Sequence, residues 1–139
     1  MRKNLIINYE LNKPIEQVYG YLSDMHKYIK VHPIIYKIEE ISKDKYLIFE
    51  RLKLGIFSLS INYPAKIACD FNSKKIKMTA LVMKIIEIEI FFELNNIESK
   101  TKIKESITFK SFLPIAFLLG PIFKKQHQIL FNTIENHED

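Results

Sequence analysis

Apolar and polar residues alternate along most of this chain, which is the pattern of β-strands that bury one face. The first alternating stretch runs from Lys3 to Leu11, and the last runs from Thr101 to Phe109. Between them, the alternating segments are separated by the turn-forming sequences SKDK, FNSKK and NNIESK. The run KIKMTALVMKIIEIEIFFEL is longer than an ordinary strand, so a turn is predicted near Met83 and Lys84. The pattern predicts one strand followed, after a break, by about six antiparallel strands.

Two short helices are predicted in the break, between residues 12 and 33. Asn12 is available as the cap of the first helix, and Pro14 suits its first turn. A second helix restarts at Ser23 or Asp24 and ends at His32, because the residue before a proline is pushed away from helical angles. The apolar residues of the first helix recur at helical spacing, and they are Ile15, Val18, Tyr19 and Leu22.

The C-terminal segment predicts one long amphipathic helix, in which Phe123, Leu130 and Ile134 share the apolar side. Gly120 and Pro121 predict a kink or a restart near the beginning of this helix. The reason is that proline removes a backbone donor and clashes with the preceding turn.

The stretch SFLPIAFLLGPIF, residues 111–123, contains no charge and no side-chain amide. Three interpretations compete: a membrane-spanning segment, an ordinary buried helix, or one wall of a pocket for an apolar ligand. Its 13 residues fall short of the roughly 20 that span a bilayer, and its two prolines and one glycine weaken the spanning interpretation further. The other two interpretations remain.

The length of 139 residues is that of one domain, 1–139, with enough chain to bury a full core. The single cysteine, Cys69, excludes an internal disulfide, and the N-terminal residues do not complete a signal-peptide core, so we expect a cytoplasmic protein. The net charge of +5 raises a nucleic-acid hypothesis, but only two of the 21 basic residues are arginine, and the lysines are scattered. A solvated lysine-rich surface is favoured, and no nucleic-acid partner is expected.

The order of elements and one motif together resemble a known superfamily. The motif is NKPIEQVYGYLSDMHKYIKVHP, with a proline-initiated helix, a Val-Tyr pair, Leu-Ser-Asp, a short helix and His-Pro. It resembles the START-like or SRPBCC superfamily, whose helix-grip fold is shared by birch-pollen-allergen-like, lipid-transfer, coenzyme-Q-binding and polyketide-cyclase-like proteins. The resemblance covers nearly the whole chain, and it bears on fold more than on function.

The resemblance implies an α+β helix-grip fold. A curved antiparallel sheet of six to seven strands would wrap around the long C-terminal helix, with two short helices after the first strand. One helix about 10 Å wide cannot fill the concave face of such a sheet, so a ligand cavity is expected there. Residues Phe112 to Phe123 would then form a movable apolar lip at the cavity mouth, with transient membrane contact. The alternative filling of the space is by large aromatic residues, namely Tyr63, Phe92, Phe109 and Phe123.

Two acidic residues interrupt apolar strand faces. Glu105 is in phase with Ile103, and Glu50 is in phase with Leu52. An unpaired buried carboxylate is costly, so each is expected to be paired, hydrated or protonated. As functional groups they would hold a polar atom of a ligand or act as general acid or base. As structural groups they would lie at an open end of the sheet or pair with Arg51 or a lysine.

Gln126 and His127 on the long helix are placed to face the same cavity. No metal site is predicted, since His26 and His32 lack the spacing of a metal pair and no cysteine or carboxylate cluster accompanies them. No nucleophile elbow, phosphate loop or dinucleotide fingerprint is present, so no cofactor is expected and no catalytic residue is assigned. The candidate ligand-binding residues are Glu50, Tyr63, Phe92, Glu105, Phe109, Phe123, Gln126 and His127.

Three functions follow from these features. The favoured one is binding or transport of a hydrophobic small molecule, such as a lipid, a quinone or a polyketide, between sheet and helix. The alternative is an enzyme that resembles polyketide cyclases or dehydratases, in which Glu105, Glu50 or a tyrosine assists proton transfer. The third is a protein-interaction role for the apolar lip. The sequence leaves the ligand and the oligomeric state open.

Overall fold

The alternating segments form one antiparallel sheet in the computed structural model, which describes residues 1–54, 56–114 and 116–138. The sheet has the spatial order β1-β7-β6-β5-β4-β3-β2. Its strands are β1 (Arg2–Leu11), β2 (Ile35–Ser42), β3 (Lys45–Leu54), β4 (Phe57–Asp70), β5 (Lys75–Val82), β6 (Ile86–Ile97) and β7 (Lys100–Lys110). The helices are α1 (Ile15–Ser23), α2 (Met25–Val31) and α3 (Ala116–Asn136). The expected helix-grip architecture, with two short helices after the first strand, is confirmed.

The long alternating run is divided where the sequence predicted a turn. β5 ends at Val82, which pairs with Ile86 at the start of β6. Met83 and Lys84 between them adopt left-handed backbone angles, with φ of 54° and 61°. Side chains other than glycine seldom occupy this region, so neither residue type signals the turn as glycine or asparagine would have done.

The two short helices begin and end close to the predicted residues, but the first is capped differently. Pro14 is the N-cap of α1 and provides no side-chain hydrogen bond, so the prediction that Asn12 caps this helix was wrong. The backbone N–H of Asn12 instead donates to the carboxylate of Glu135 on α3, at 3.0 Å. Asp24 caps α2 by accepting from the N–H of His26 at 2.9 Å. These caps fix the direction in which α2 enters the interior.

α3 does not restart at Pro121, which was one of the two outcomes predicted from Gly120 and Pro121. The helix runs from Ala116 to Asn136 with Pro121 inside it. Its side chains pack on one half of the sheet: Phe131 contacts Tyr9 of β1 with ring centroids 4.1 Å apart, and Phe123 contacts Phe109 of β7 at 5.1 Å. Among the described residues, no helix is both long enough and apolar enough to cross a membrane.

The core is filled most tightly under α3. Phe92 of β6, Phe109 of β7 and Phe131 of α3 are almost completely buried there. Cys69 has the strand phase of the apolar residues Ala65 and Ile67, but it lies near the end of β4 and is exposed. Burial therefore depends on position along a strand as well as on the face.

The connection from β7 to α3 is tied to the start of β1. The amino group of Met1 donates to the carbonyl of Ser111, and the N–H of Ser111 donates back to the carbonyl of Met1 at 2.9 Å. Gly120 of α3 lies beside Lys3, whose Nζ would be 3.3 Å from a Cβ atom at that position. The first turns of α3 consequently lie at the end of the sheet where β1 starts and β7 finishes.

Candidate functional site

A cavity lies under the half of the sheet that α3 does not cover. Its volume is about 50 Å³, and its walls come from β3, β4 and β5 on one side and from α2 and α3 on the other. Ala65 and Ala80 face it from the sheet, and their short side chains leave the space that aromatic rings occupy under α3. The residues that line it are Met25, Tyr28, His32, Ile35, Ile48, Glu50, Tyr63, Ala65, Ile67, Met78, Ala80, Ile90, Phe123 and Gln126.

Glu50 and Tyr63 form the polar centre of this cavity. The Tyr63 hydroxyl donates to Oε2 of Glu50 at 2.6 Å, across the neighbouring strands β3 and β4. Glu50 is only 9% exposed. Burial raises the pKa of its carboxyl above the ordinary value of 4.5, while the hydrogen bond from Tyr63 and the nearby His127 act in the opposite direction. Burial and the adjacent Glu50 also hold the pKa of the Tyr63 phenol well above 10.0.

Two polar groups reach the cavity from α2, and sequence reasoning did not assign them to the site. Tyr28 is buried, and this raises the pKa of its phenol, with Glu105 and Glu50 contributing. His32 accepts from the N–H groups of Ile34 and Ile35 through Nδ1, at 3.3 Å each, so the proton of the neutral ring is on Nε2. Burial and His127 hold the pKa of His32 well below 6.5. The sequence does contain a signal that could have found both residues: they are four positions apart and therefore share one face of a helix.

Glu105 and His127 form a buried pair behind the cavity wall. Glu105 is 0% and His127 is 1% exposed, and Oε2 of the carboxyl contacts Nδ1 of the imidazole. The rings of Phe92 and Phe123 lie 6.4 and 5.5 Å from the imidazole, and neither member of the pair lines the cavity. Within the described part of the chain, Oε1 of Glu105 has no hydrogen-bond partner. The two polar side chains are therefore each other's contact inside the core, and one carboxyl oxygen is left without a partner there.

The eight candidate residues divide into two groups. Glu50, Tyr63, Phe123 and Gln126 line the cavity. Phe92, Glu105, Phe109 and His127 are buried in the adjoining core and do not line it. As a structural alternative, the two acids were expected to pair with Arg51 or a lysine, and these partners were wrong. In the described structure, Glu50 accepts a hydrogen bond from Tyr63, and Glu105 contacts His127.

The cavity is small for the ligands that the sequence suggested. Pockets for drug-sized molecules occupy roughly 300 to 1,000 Å³, several times the 50 Å³ found here. Phe123 is a half-buried aromatic residue of the lining, and it lies in the first turns of α3. A larger ligand would therefore need Phe123 and the start of α3 to move.

No group of three or more His, Cys, Asp or Glu side chains suited to a metal ion occurs among residues 1–54, 56–114 and 116–138. The chemistry available at the cavity is accordingly that of a carboxyl group, two phenols, a neutral imidazole and an amide, set in an apolar wall.

The overall arrangement matches solved structures along nearly the whole chain. Ara h 8.0201 superposes with a TM-score of 0.79 at 18% identity, over 97% of this chain and 96% of that one. An aromatase/cyclase, Zhui from Streptomyces sp. R1128, gives 0.78 at 11% identity, over 96% and 92%. A START superfamily protein from Mycobacterium smegmatis gives 0.78 at 12% identity, over 95% and 94%. No protein-family model and no curated protein matches the sequence. The chain has the helix-grip fold of START-like proteins.

The buried pair gives a stability prediction. Replacing one member, as in Glu105→Leu, leaves the other polar group buried without a partner and should lower the free energy of unfolding by about 3 kcal/mol or more. Replacing both, as Glu105→Leu with His127→Leu, should recover much of that loss because no orphaned group remains. Urea denaturation of the wild type, both single variants and the double variant measures the coupling. Additive losses would show that the pair is not coupled.

Glu50 gives a pH prediction. Its folded-state pKa is raised, so between pH 4.5 and that higher value the folded protein holds more protons than the unfolded chain. Stability attributable to Glu50 is therefore fully present at low pH and is lost as the pH rises through this interval. Glu50→Gln should be about as stable as wild type near pH 4 and relatively more stable near pH 7.

Tyr63→Phe is the companion variant for this test. It removes the hydrogen bond that lowers the Glu50 pKa, so the loss of stability should extend to higher pH than in wild type. Urea unfolding from about pH 4 to pH 8 measures all three proteins. A stability difference between Glu50→Gln and wild type that does not change with pH would contradict the raised pKa.

Proposed function

We propose that this protein binds a hydrophobic small molecule that carries a polar group, in the cavity between β3–β5 and the helices α2 and α3. The observation that carries the proposal is the buried Glu50 carboxyl with its single tyrosine partner, facing an otherwise apolar cavity. A buried carboxyl is costly to keep unless it has a use or sufficient partners. A ligand hydroxyl, amide or amine would complete its hydrogen bonding.

The polar groups of the cavity favour a ligand with one polar end. Glu50 with Tyr63 and His32 with Tyr28 come from opposite walls, whereas the remaining lining is apolar apart from Gln126. Hydrogen bonds would fix the polar end, and apolar burial would supply most of the affinity. Lipids, quinones and polyketides share this composition, and the choice among them depends on how far Phe123 moves.

Binding to the cavity can be tested with a fluorescent probe before the natural ligand is known. We expect N-phenyl-1-naphthylamine, an apolar molecule with one N–H donor, to bind the wild-type protein. Ala65→Leu adds three carbons to the cavity wall and should weaken binding at least tenfold. Ala68→Leu, the same change on the exposed side of β4, should leave binding unchanged. Fluorescence titration gives the dissociation constants, and circular dichroism checks folding.

Native mass spectrometry and organic extraction of the freshly purified protein complete this test. A co-purified apolar compound would identify the ligand class. Equal probe affinity for Ala65→Leu and wild type would place the probe outside the cavity. A ligand-free mass together with no probe binding by the wild type would overturn the proposal.

A cyclase-like enzyme is the second candidate, and the Glu105–His127 pair is the observation that favours it. A carboxyl in contact with an imidazole can pass a proton between them, and several structural neighbours are named as aromatase/cyclases. The pair lies behind the cavity wall, however, so a substrate would have to displace Phe123 to reach it. Binding is therefore the first proposal.

Glu105→Gln separates the two candidates because it keeps the shape of the side chain and removes its acid–base capacity. Under the binding proposal, the variant should retain wild-type affinity for the probe. Under the enzymatic proposal, cyclisation of a poly-β-ketone chain should fall by about 100-fold or more while probe affinity is kept. Undiminished turnover by the variant would exclude acid–base catalysis by this pair.

A further inference from the structure

The two ends of the sheet differ sharply in their exposed residues. In the antiparallel order, the starts of β1, β2, β4 and β6 lie at the same end as the finishes of β3, β5 and β7. We call this end the mouth end; it is formed by the described residues 1–4, 33–37, 51–54, 56–59, 80–88, 108–114 and 116–125. Cavity-lining residues lie toward this end, since Glu50 pairs with Ile35 at the start of β2 and Phe123 lies in the second turn of α3.

Large apolar side chains are exposed at the mouth end on four separate segments. Ile56 is 95%, Phe57 is 72% and Phe112 is 76% exposed. Leucine and methionine side chains add to these on β4, around the turn after β5 and on the first turns of α3. The exposed large apolar side chains of this end are Met1, Ile56, Phe57, Leu59, Leu81, Met83, Phe112, Leu113, Leu118 and Ile122. Exposed apolar side chains concentrated in this way mark an interaction surface.

The same segments are strongly basic. Their described residues contain nine basic residues and one acidic residue, Glu87, which is exposed. The basic residues are Arg2, Lys3, Lys37, Arg51, Lys53, Lys84, Lys110, Lys124 and Lys125. Since the whole chain carries only +5, the remainder of the protein is net acidic. The positive charge is therefore directed to the end that also exposes the apolar residues.

We propose that the mouth end is a docking surface for an anionic lipid bilayer, into which the apolar side chains of its turns insert while its lysines contact the lipid headgroups. The charge supports this partner, because lysines near an anionic membrane surface are each attracted to it. The distribution of the apolar residues supports it as well. They project from separate turns and a helix start around the cavity rather than lining one groove, which suits a soft planar surface.

Docking in this way would direct the cavity mouth at the membrane. Phe123 lines the cavity, and Leu118 and Ile122 on the same turns of α3 are exposed. Insertion of the exposed residues would involve the same helix segment that must move for the cavity to enlarge. This last step rests on the proposed binding function, whereas docking itself does not.

The test is flotation of the full-length protein with vesicles of two compositions. We expect binding to phosphatidylcholine vesicles that contain about 30% phosphatidylserine at about 0.1 M salt, and loss of binding at about 0.5 M salt, where surface charges are screened. The triple variant Ile56→Ser, Phe57→Ser and Phe112→Ser should reduce vesicle binding at least tenfold. The control is Ile6→Ser, Ile41→Ser and Ile129→Ser, which changes exposed large apolar residues elsewhere and should bind like wild type.

A second pair of variants tests the charge and does not depend on the apolar residues. Lys53→Glu, Lys84→Glu and Lys124→Glu together should abolish binding, whereas Lys27→Glu, Lys43→Glu and Lys102→Glu should reduce it by less than twofold. All six positions are exposed, so folding should be retained, and thermal denaturation checks it.

Several results would overturn the inference. They are no vesicle binding by the wild type, equal loss in the mouth-end and control variants, or mouth-end variants that change only self-association or nucleic-acid binding. The controls also separate this inference from the proposed function. Ala65→Leu should still bind vesicles, and the serine triple variant should still bind N-phenyl-1-naphthylamine.

Discussion

The architecture depends on a mismatch of width between a sheet and the single helix that covers it. Seven strands about 4.8 Å apart form a concave face much wider than a helix of about 10 Å. α3 packs over β1, β6 and β7, and aromatic side chains close the space beneath it. Under β3, β4 and β5 no helix lies directly on the sheet, and α2 with the side of α3 closes the gap less completely. The cavity is the space that this difference in width leaves unfilled.

The buried polar groups follow the same division. Beneath α3, Glu105 contacts His127, whose ring lies near those of Phe92 and Phe123, so its partner lies inside the core. Beneath β3 and β4, the hydrogen-bond partner of Glu50 among the described residues is Tyr63, and burial favours the neutral form of the carboxyl. Two carboxyl groups on equivalent strand faces thus acquire different roles. One belongs to the packed core, and the other is available at the cavity wall for a ligand.

The antiparallel topology also makes the two ends of the sheet different from each other. Alternate turns of the sheet fall at opposite ends, so the residue types in those turns separate along the strand axis. Apolar and basic segments gather at the mouth end, whereas the turns at the other end carry charges of both signs, with Asp44, Asp70 and Glu98 beside lysines. A net charge of +5 that is scattered along the sequence is therefore unevenly distributed in space. The proposed membrane contact and the proposed ligand cavity share one end.

The helices and strands could be predicted from the amino-acid sequence alone. Strict alternation required one buried face on each strand, the prolines and caps bounded α1 and α2, and the phase placed Glu50 and Glu105 inward. Even the turn at Met83 and Lys84 was located by strand length alone. Candidate site residues on the inner faces could be named because phase is a local property.

Which of those residues share a cavity depends on the tertiary packing of distant segments. Glu105 and His127 are 22 positions apart, and no local pattern shows that they meet or that Phe123 separates them from the open space. Tyr28 and His32 join the site because α2 enters under β3 and β4. α3 continues through Pro121, where local rules predicted a kink or a restart. The volume of the cavity and the concentration of charge at one end depend on how distant segments pack, which periodicity along the chain does not encode.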